Sequence, residues 1–110
     1  MIIVRIRRGS SARVSGFSVT GHSGYAQKGA DIVCAGVSAV VQTTILGLQN
    51  VLGVDCSGQQ AVGELHCSLP ADLGEVAESA NVLLETMLQG LTALSEAYAD
   101  YVRILDSKEV

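Results

Sequence analysis

The chain has no tryptophan, one phenylalanine and one proline, and only 4% of its 110 residues are aromatic. A core without large rings must be filled by Val, Leu, Ile and Ala. At 48% hydrophobic residues, the chain carries enough of them for one small domain over residues 1–110 and leaves no room for a second. No low-complexity tract, linker or internal repeat interrupts it. Basic residues are also few, and the formal net charge is −4. That balance argues against direct nucleic-acid binding, because neutralising phosphates takes clustered Lys and Arg. The local cluster Arg5, Arg7, Arg8 and Arg13 reads as the solvated face of a hairpin.

A secretory leader is also missing from the pattern, since Met1 runs straight into strand-like alternation. Gln42, Thr43 and Thr44 break the longest apolar stretch, so no membrane span is expected. Both observations point to the cytoplasm. The three cysteines, Cys34, Cys56 and Cys67, lack zinc-ligand spacing and are odd in number. They fit reduced thiols better than a disulfide framework, and neither a metal nor a cofactor is expected.

What is present falls into a clear order. Ile2 to Arg7 alternates apolar and polar residues as a strand does, and after a turn at Gly9-Ser10-Ser11 a second strand runs from Arg13 to Thr20. Val14 is out of phase with Phe17, which predicts a bulge near Gly16. The stretch 23–30 is polar and carries Gly24 and Gly29, so a loop that can move is expected. Asp31 is placed to cap a helix from Ile32 to about Asn50 that is apolar on nearly every side. A helix of that kind suggests burial in an oligomer interface, and hence a homodimer.

Val51–Cys56 and Ala61–Leu69 read as two short strands closing at Gly58, a geometry in which Cys56 and Cys67 are poorly placed to pair. Asp72 with Glu75 resembles a capping box, opening an amphipathic helix with Leu73, Val76, Ala77, Ala80, Leu83, Leu84, Met87, Leu88, Leu91 and Leu94 on its apolar stripe. Tyr101 to Leu105 is a closing strand or the tail of that helix, the strand being preferred. The expected fold is α+β, ββαββα with that final β: two helices packed on a mostly antiparallel sheet.

One constellation carries chemistry. A cysteine flanked by apolar residues is by itself a packed hydrophobe. Cys34, however, falls in the first turn of a helix, where unpaired N–H groups favour a thiolate over a thiol and also suit a developing oxyanion. Gly21 and His22 end the preceding strand, and the loop from Ser23 to Ala30 can bring imidazole and thiol together, with His22 as a general acid and base. Asp31 is a candidate to orient His22, although its capping role alone explains it. Ser38, one turn beyond Cys34, shares its helix face. His66 and Cys67 are strand neighbours facing opposite sides, so they do not share a ligand sphere. A redox sensor in which Cys34 bonds Cys56 or Cys67 is a further alternative.

The run Gly21-His22-Ser23-Gly24-Tyr25-Ala26, then Gly29, Asp31-Ile32-Val33-Cys34-Ala35 and Ser38-Ala39, resembles the ribosomal-processing cysteine protease family, Prp. The resemblance implies a cytoplasmic, homodimeric cysteine endopeptidase that removes an N-terminal extension from a large-subunit ribosomal protein. It puts the catalytic histidine at His22, the nucleophile at Cys34 and the motif aspartate at Asp31, with a flexible loop closing over the substrate. The alternative is a non-catalytic, ribosome-associated dimer that binds a peptide in the same groove.

Overall fold

The computed structural model describes residues 1–27, 29–56, 58 and 60–107. Lys28 of the expected loop, and Ser57 and Gln59 of the expected turn, lie outside the described residues. The alternation at the start of the chain produces β1, Ile2–Arg8, with Ile2, Val4 and Ile6 buried and Arg5 and Arg7 exposed. It pairs antiparallel with β2, Val14–Thr20, and the register slips between Arg7, opposite Gly16, and Arg8, opposite Val14. Ser15 is the extra residue of the expected bulge. The slip turns Val14 inward on the same side as Phe17, and both are buried.

Asp31 caps α1, Ile32–Leu46, as expected, and the helix runs on as a wider π-helical turn over Gly47–Val51. The anticipated strand Val51–Cys56 does not form. Val51 completes the helical turn and Gly53 takes a positive φ of 66°, which an extended strand cannot hold. Val54 then returns the chain to the core, its N–H donating to the Leu48 carbonyl at 2.8 Å. The hairpin comes later and is shorter than expected: β3, Gln60–Ala61, turns through Val62 and Gly63 into β4, Glu64–Ser68.

The expectation of three reduced thiols also fails, because Cys56 and Cys67 are joined in a disulfide with their Cα atoms 5.6 Å apart. Moving the turn from Gly58 to Gly63 frees the segment before β3 to fold back along β4. Cys34 is the free thiol.

The capping box is likewise absent. Asp72 accepts from the Gly74 N–H at 2.9 Å, but Gly74 has φ 56° and stands between that aspartate and the helix. A 3-10 turn, Gly74–Val76, leads into α2, Ala77–Ala97, which has no side-chain cap. The amphipathic stripe packs as read, with Ala80, Leu84, Met87, Leu88 and Leu91 buried. The helix crosses the sheet and delivers β5, Val102–Asp106, alongside β1 in parallel register. The strand order is β3-β4-β2-β1-β5. The fold is α+β, with both helices on one face of a mixed five-stranded sheet. Val33, Val37, Val41 and Leu48 of the first helical segment share one apolar cluster with α2 and the inward side chains of the sheet.

The stretch Ile32–Val51, expected to be too interrupted to span a bilayer, is long and apolar enough to do so by length and composition, with a mean hydropathy of 1.6. The three residues expected to interrupt it, Gln42, Thr43 and Thr44, are uncharged, and Thr44 returns its hydroxyl to the Val40 carbonyl at 2.9 Å. In this fold the segment packs on α2, where Gly36 lets Leu94 approach and Gly90 admits Val40.

Candidate active site

The end of β2 and the start of α1 meet at one end of the sheet. Gly21 follows β2 with φ 89°, and a Cβ there would collide with the Met1 carbonyl, so the position requires glycine. Its N–H donates to the Gly63 carbonyl at 2.8 Å. Gly63 (φ 73°) lies directly beneath the His22 ring, where a Cβ would come within 2.7 Å of Nε2. The β3–β4 turn thus holds both the strand end and the imidazole. Gly63 is a site residue that the sequence reading missed, because that reading placed the turn at Gly58.

Cys34 is half-buried in the first turn of α1. The Asp31 cap accepts through Oδ1 from the Val33 and Cys34 N–H groups, each at 3.0 Å. Through Oδ2 it takes the Ser23 hydroxyl and, at 3.4 Å, the Ala26 N–H. These donors hold the carboxyl at about 2, below its ordinary 3.8. The Ser23 hydroxyl acts most strongly, followed by the Cys34 amide. Asp31 therefore ties the loop to the helix start and makes no described hydrogen bond to His22. The first-turn amides expected to face an oxyanion are spent on this carboxylate.

The donor that does reach the Cys34 sulfur is a different one. The buried Ser23 gives its N–H to Cys34 Sγ at 3.5 Å, and its hydroxyl oxygen lies 3.6 Å from the same sulfur as acceptor of the thiol proton. A backbone donor of this kind leaves no trace in a sequence.

His22 and Cys34 have no hydrogen bond to each other among the described residues, but both open onto the same two cavities, and Ser38 joins them at the junction. The smaller cavity, about 170 Å³, has Ile2, Val19, Val37, Val41 and Leu65 among its walls. The larger, about 590 Å³, is walled by Gly24, Ala26 and Gly29 of the loop, with Val62 opposite. A peptide laid across the junction would have its carbonyl at the thiol and a cavity on either side. Of the glycines expected to matter, Gly24 and Gly29 line the larger space and have positive φ angles of 72° and 91°. Ser38 makes no described side-chain hydrogen bond. Among the described residues no group of three His, Cys, Asp or Glu side chains could hold a metal.

The family model for cysteine protease Prp matches residues 1–103. The ribosomal processing cysteine protease Prp of Bacillus subtilis (strain 168) is 32% identical, the alignment covering 94% of this chain and 96% of that protein. The Staphylococcus aureus (strain Mu50 / ATCC 700699) protein of the same name is 31% identical over 94% of this chain and 97% of its own length. Among solved structures, S. aureus Prp in complex with a covalently linked product peptide superposes with a TM-score of 0.88. Its identity is 27%, and the match covers 97% of this chain and 100% of that one. The same enzyme with a substrate peptide gives 0.83 at 26% identity, with the same coverage. The match in sequence and in fold runs from β1 to β5, so the chain belongs to the cysteine protease Prp family and is an enzyme of that class, a peptide-bond hydrolase.

Proposed function

We propose that the chain, as a single catalytic domain, is an endopeptidase that removes the N-terminal extension of a large-subunit ribosomal protein, with Cys34 as nucleophile and His22 as general acid and base. The observation that carries the assignment is the junction of two cavities at which thiol, imidazole and the Ser23 N–H converge. The relatives' names supply the ribosomal substrate, and a product peptide covalently linked to one of them accords with a covalent intermediate.

In this mechanism His22 takes the thiol proton and the thiolate attacks the scissile carbonyl carbon. Collapse of the tetrahedral adduct breaks the C–N bond as imidazolium gives its proton to the leaving amine, leaving a thioester on Cys34. His22 then deprotonates a water that hydrolyses the thioester, and the thiol is restored. Seating the peptide brings the imidazole and sulfur, unbonded in the free enzyme, into reach. The loop residues 23–27 and 29–30 close the larger cavity around the peptide.

The cytoplasm is the setting that a ribosomal substrate implies. A homodimer through α1 is supported by its uncharged outer face, where Ile32 is 57% exposed and Leu46 54%, with the exposed Ala35 and Ala39 between them. Sedimentation that finds only monomer at working concentrations removes that part of the proposal. The test of the activity is incubation of the purified chain with its host's extended ribosomal protein, followed by mass spectrometry. A single N-terminal cut is expected, and Cys34→Ala abolishes it. Cleavage that survives the substitution overturns the assignment.

A further inference from the structure

The loop that walls the larger cavity is held from behind by an aromatic cradle. Gly24 and Ala26 line that cavity, whereas Tyr25 between them does not. Its ring instead meets Tyr98 edge to face, with centroids 5.8 Å apart and planes at 84°, and Tyr101 at 5.2 Å and 78°. The receiving side is rigid. Tyr98 ends α2 with its N–H on the Leu94 carbonyl, and its own carbonyl accepts from Tyr101 and Val102; the Tyr101 carbonyl takes the first amide of β1, from Ile2, at 2.9 Å. On the loop side, Ser23 and Ala26 are tied to Asp31 on either side of Tyr25. Gly24 and Gly29 have open space where a side chain would be, so backbone conformation rather than packing calls for glycine there.

We propose that Tyr98 and Tyr101, more than seventy positions from Tyr25 in sequence, are positioning residues for the active site. They seat Tyr25 and thereby hold Gly24 and Ala26 as the cavity wall against which the peptide lies. The contact is made by rings alone, since none of the three phenol hydroxyls has a hydrogen bond among the described residues. Edge-to-face pairing of such rings depends on their quadrupoles and is lost with an aliphatic replacement of similar size.

The proposal rests on the peptidase reading for its substrate, so the test has one readout that needs activity and one that does not. Tyr25→Leu, Tyr98→Leu and the double variant are compared by KM and kcat on a peptide spanning the extension junction. In parallel, iodoacetamide labelling of Cys34 is timed in the same proteins. Each single variant is expected to raise KM about three- to tenfold, with kcat changed less, and to speed labelling several-fold. The double variant should be no worse than Tyr25→Leu alone, because that change already breaks the contact that Tyr98→Leu removes. Tyr98→Phe and Tyr101→Phe should retain the wild-type values.

Multiplying effects in the double variant, Phe variants that behave like the Leu ones, or a lowered Tm with unchanged KM and labelling each overturn the cradle. If no protein cleaves the peptide but labelling keeps the non-multiplying pattern, the peptidase reading falls and the cradle stands.

Discussion

At the end of the sheet where β1 finishes, Arg8 donates to both carboxylate oxygens of Asp106 at 2.9 Å and to both of Glu85 at 2.9 and 3.0 Å, with the Arg8 and Asp106 side chains 5% and 4% exposed. At the other end His22 is exposed, the two contacts to Cys34 Sγ are 3.5 and 3.6 Å, and the imidazole and thiol are not joined. The first site saturates its donors, and its carboxylates, Asp106 above all, hold the guanidinium well above its usual range. The second leaves its reactive groups unspent. A paired buried charge fixes geometry and has no capacity left for a ligand. In the proposed mechanism a nucleophile and its base have to keep that capacity, and here glycines, a cap and a backbone amide hold the thiol and the imidazole near each other.

The comparison breaks most visibly at His22. His22→Ala should lower turnover about 10²–10⁴-fold while the unfolding midpoint stays at the wild-type value; loss of cooperative unfolding would show instead that the imidazole supports the fold. Arg8→Met is the converse. It leaves Asp106 buried without the guanidinium and should cost about 3–5 kcal/mol in denaturant unfolding, with the specific activity of the folded fraction retained. Equal loss of activity and stability would erase the division between the two ends.

A smaller effect is expected from the bond between them. Removing the Cys56–Cys67 link, eleven residues apart, by reduction should cost about 2–3 kcal/mol. A Cys56→Ala/Cys67→Ala variant should then be insensitive to reductant, and wild-type protein equally insensitive would show that the link is not formed in solution.

The smallest effect belongs to Asp31. Its carboxyl sits near 2 in the folded chain against an ordinary 3.8, so its contribution is complete above about pH 4 and disappears as pH falls toward 2. Asp31→Asn should therefore melt a few degrees below wild type at pH 6, and the gap should close on acidification. A gap unchanged by pH would mean that the carboxylate charge contributes nothing.

Local chemistry explains which features could be read from the sequence. Alternation in Ile2 to Arg7 and the three-and-four spacing from Leu73 to Leu94 report one buried face each, because a strand and a helix repeat with different periods. Asp31 before Ile32-Val33-Cys34 reports a cap, since capping needs only residues adjacent in the chain. The misread strand at Val51–Cys56 shows the limit of such signals. Val51, Leu52 and Val54 suit a strand by type, but the helix before them had not ended, and Gly53 adopts a conformation that no strand accepts. Moving the hairpin from Gly58 to Gly63 then altered which cysteines could meet.

By itself the sequence determined two helices and a sheet, one capped thiol, and a histidine at a strand end, all consequences of residues within one or two turns of each other. The tertiary structure alone decided that Gly63 lies under His22, that the Ser23 amide reaches the sulfur, and that Tyr25 rests on Tyr98 and Tyr101. Each of these joins segments whose spacing along the chain carries no period. Their meeting depends on where α2 crosses the sheet and where β4 turns, and that is set by packing of the whole core.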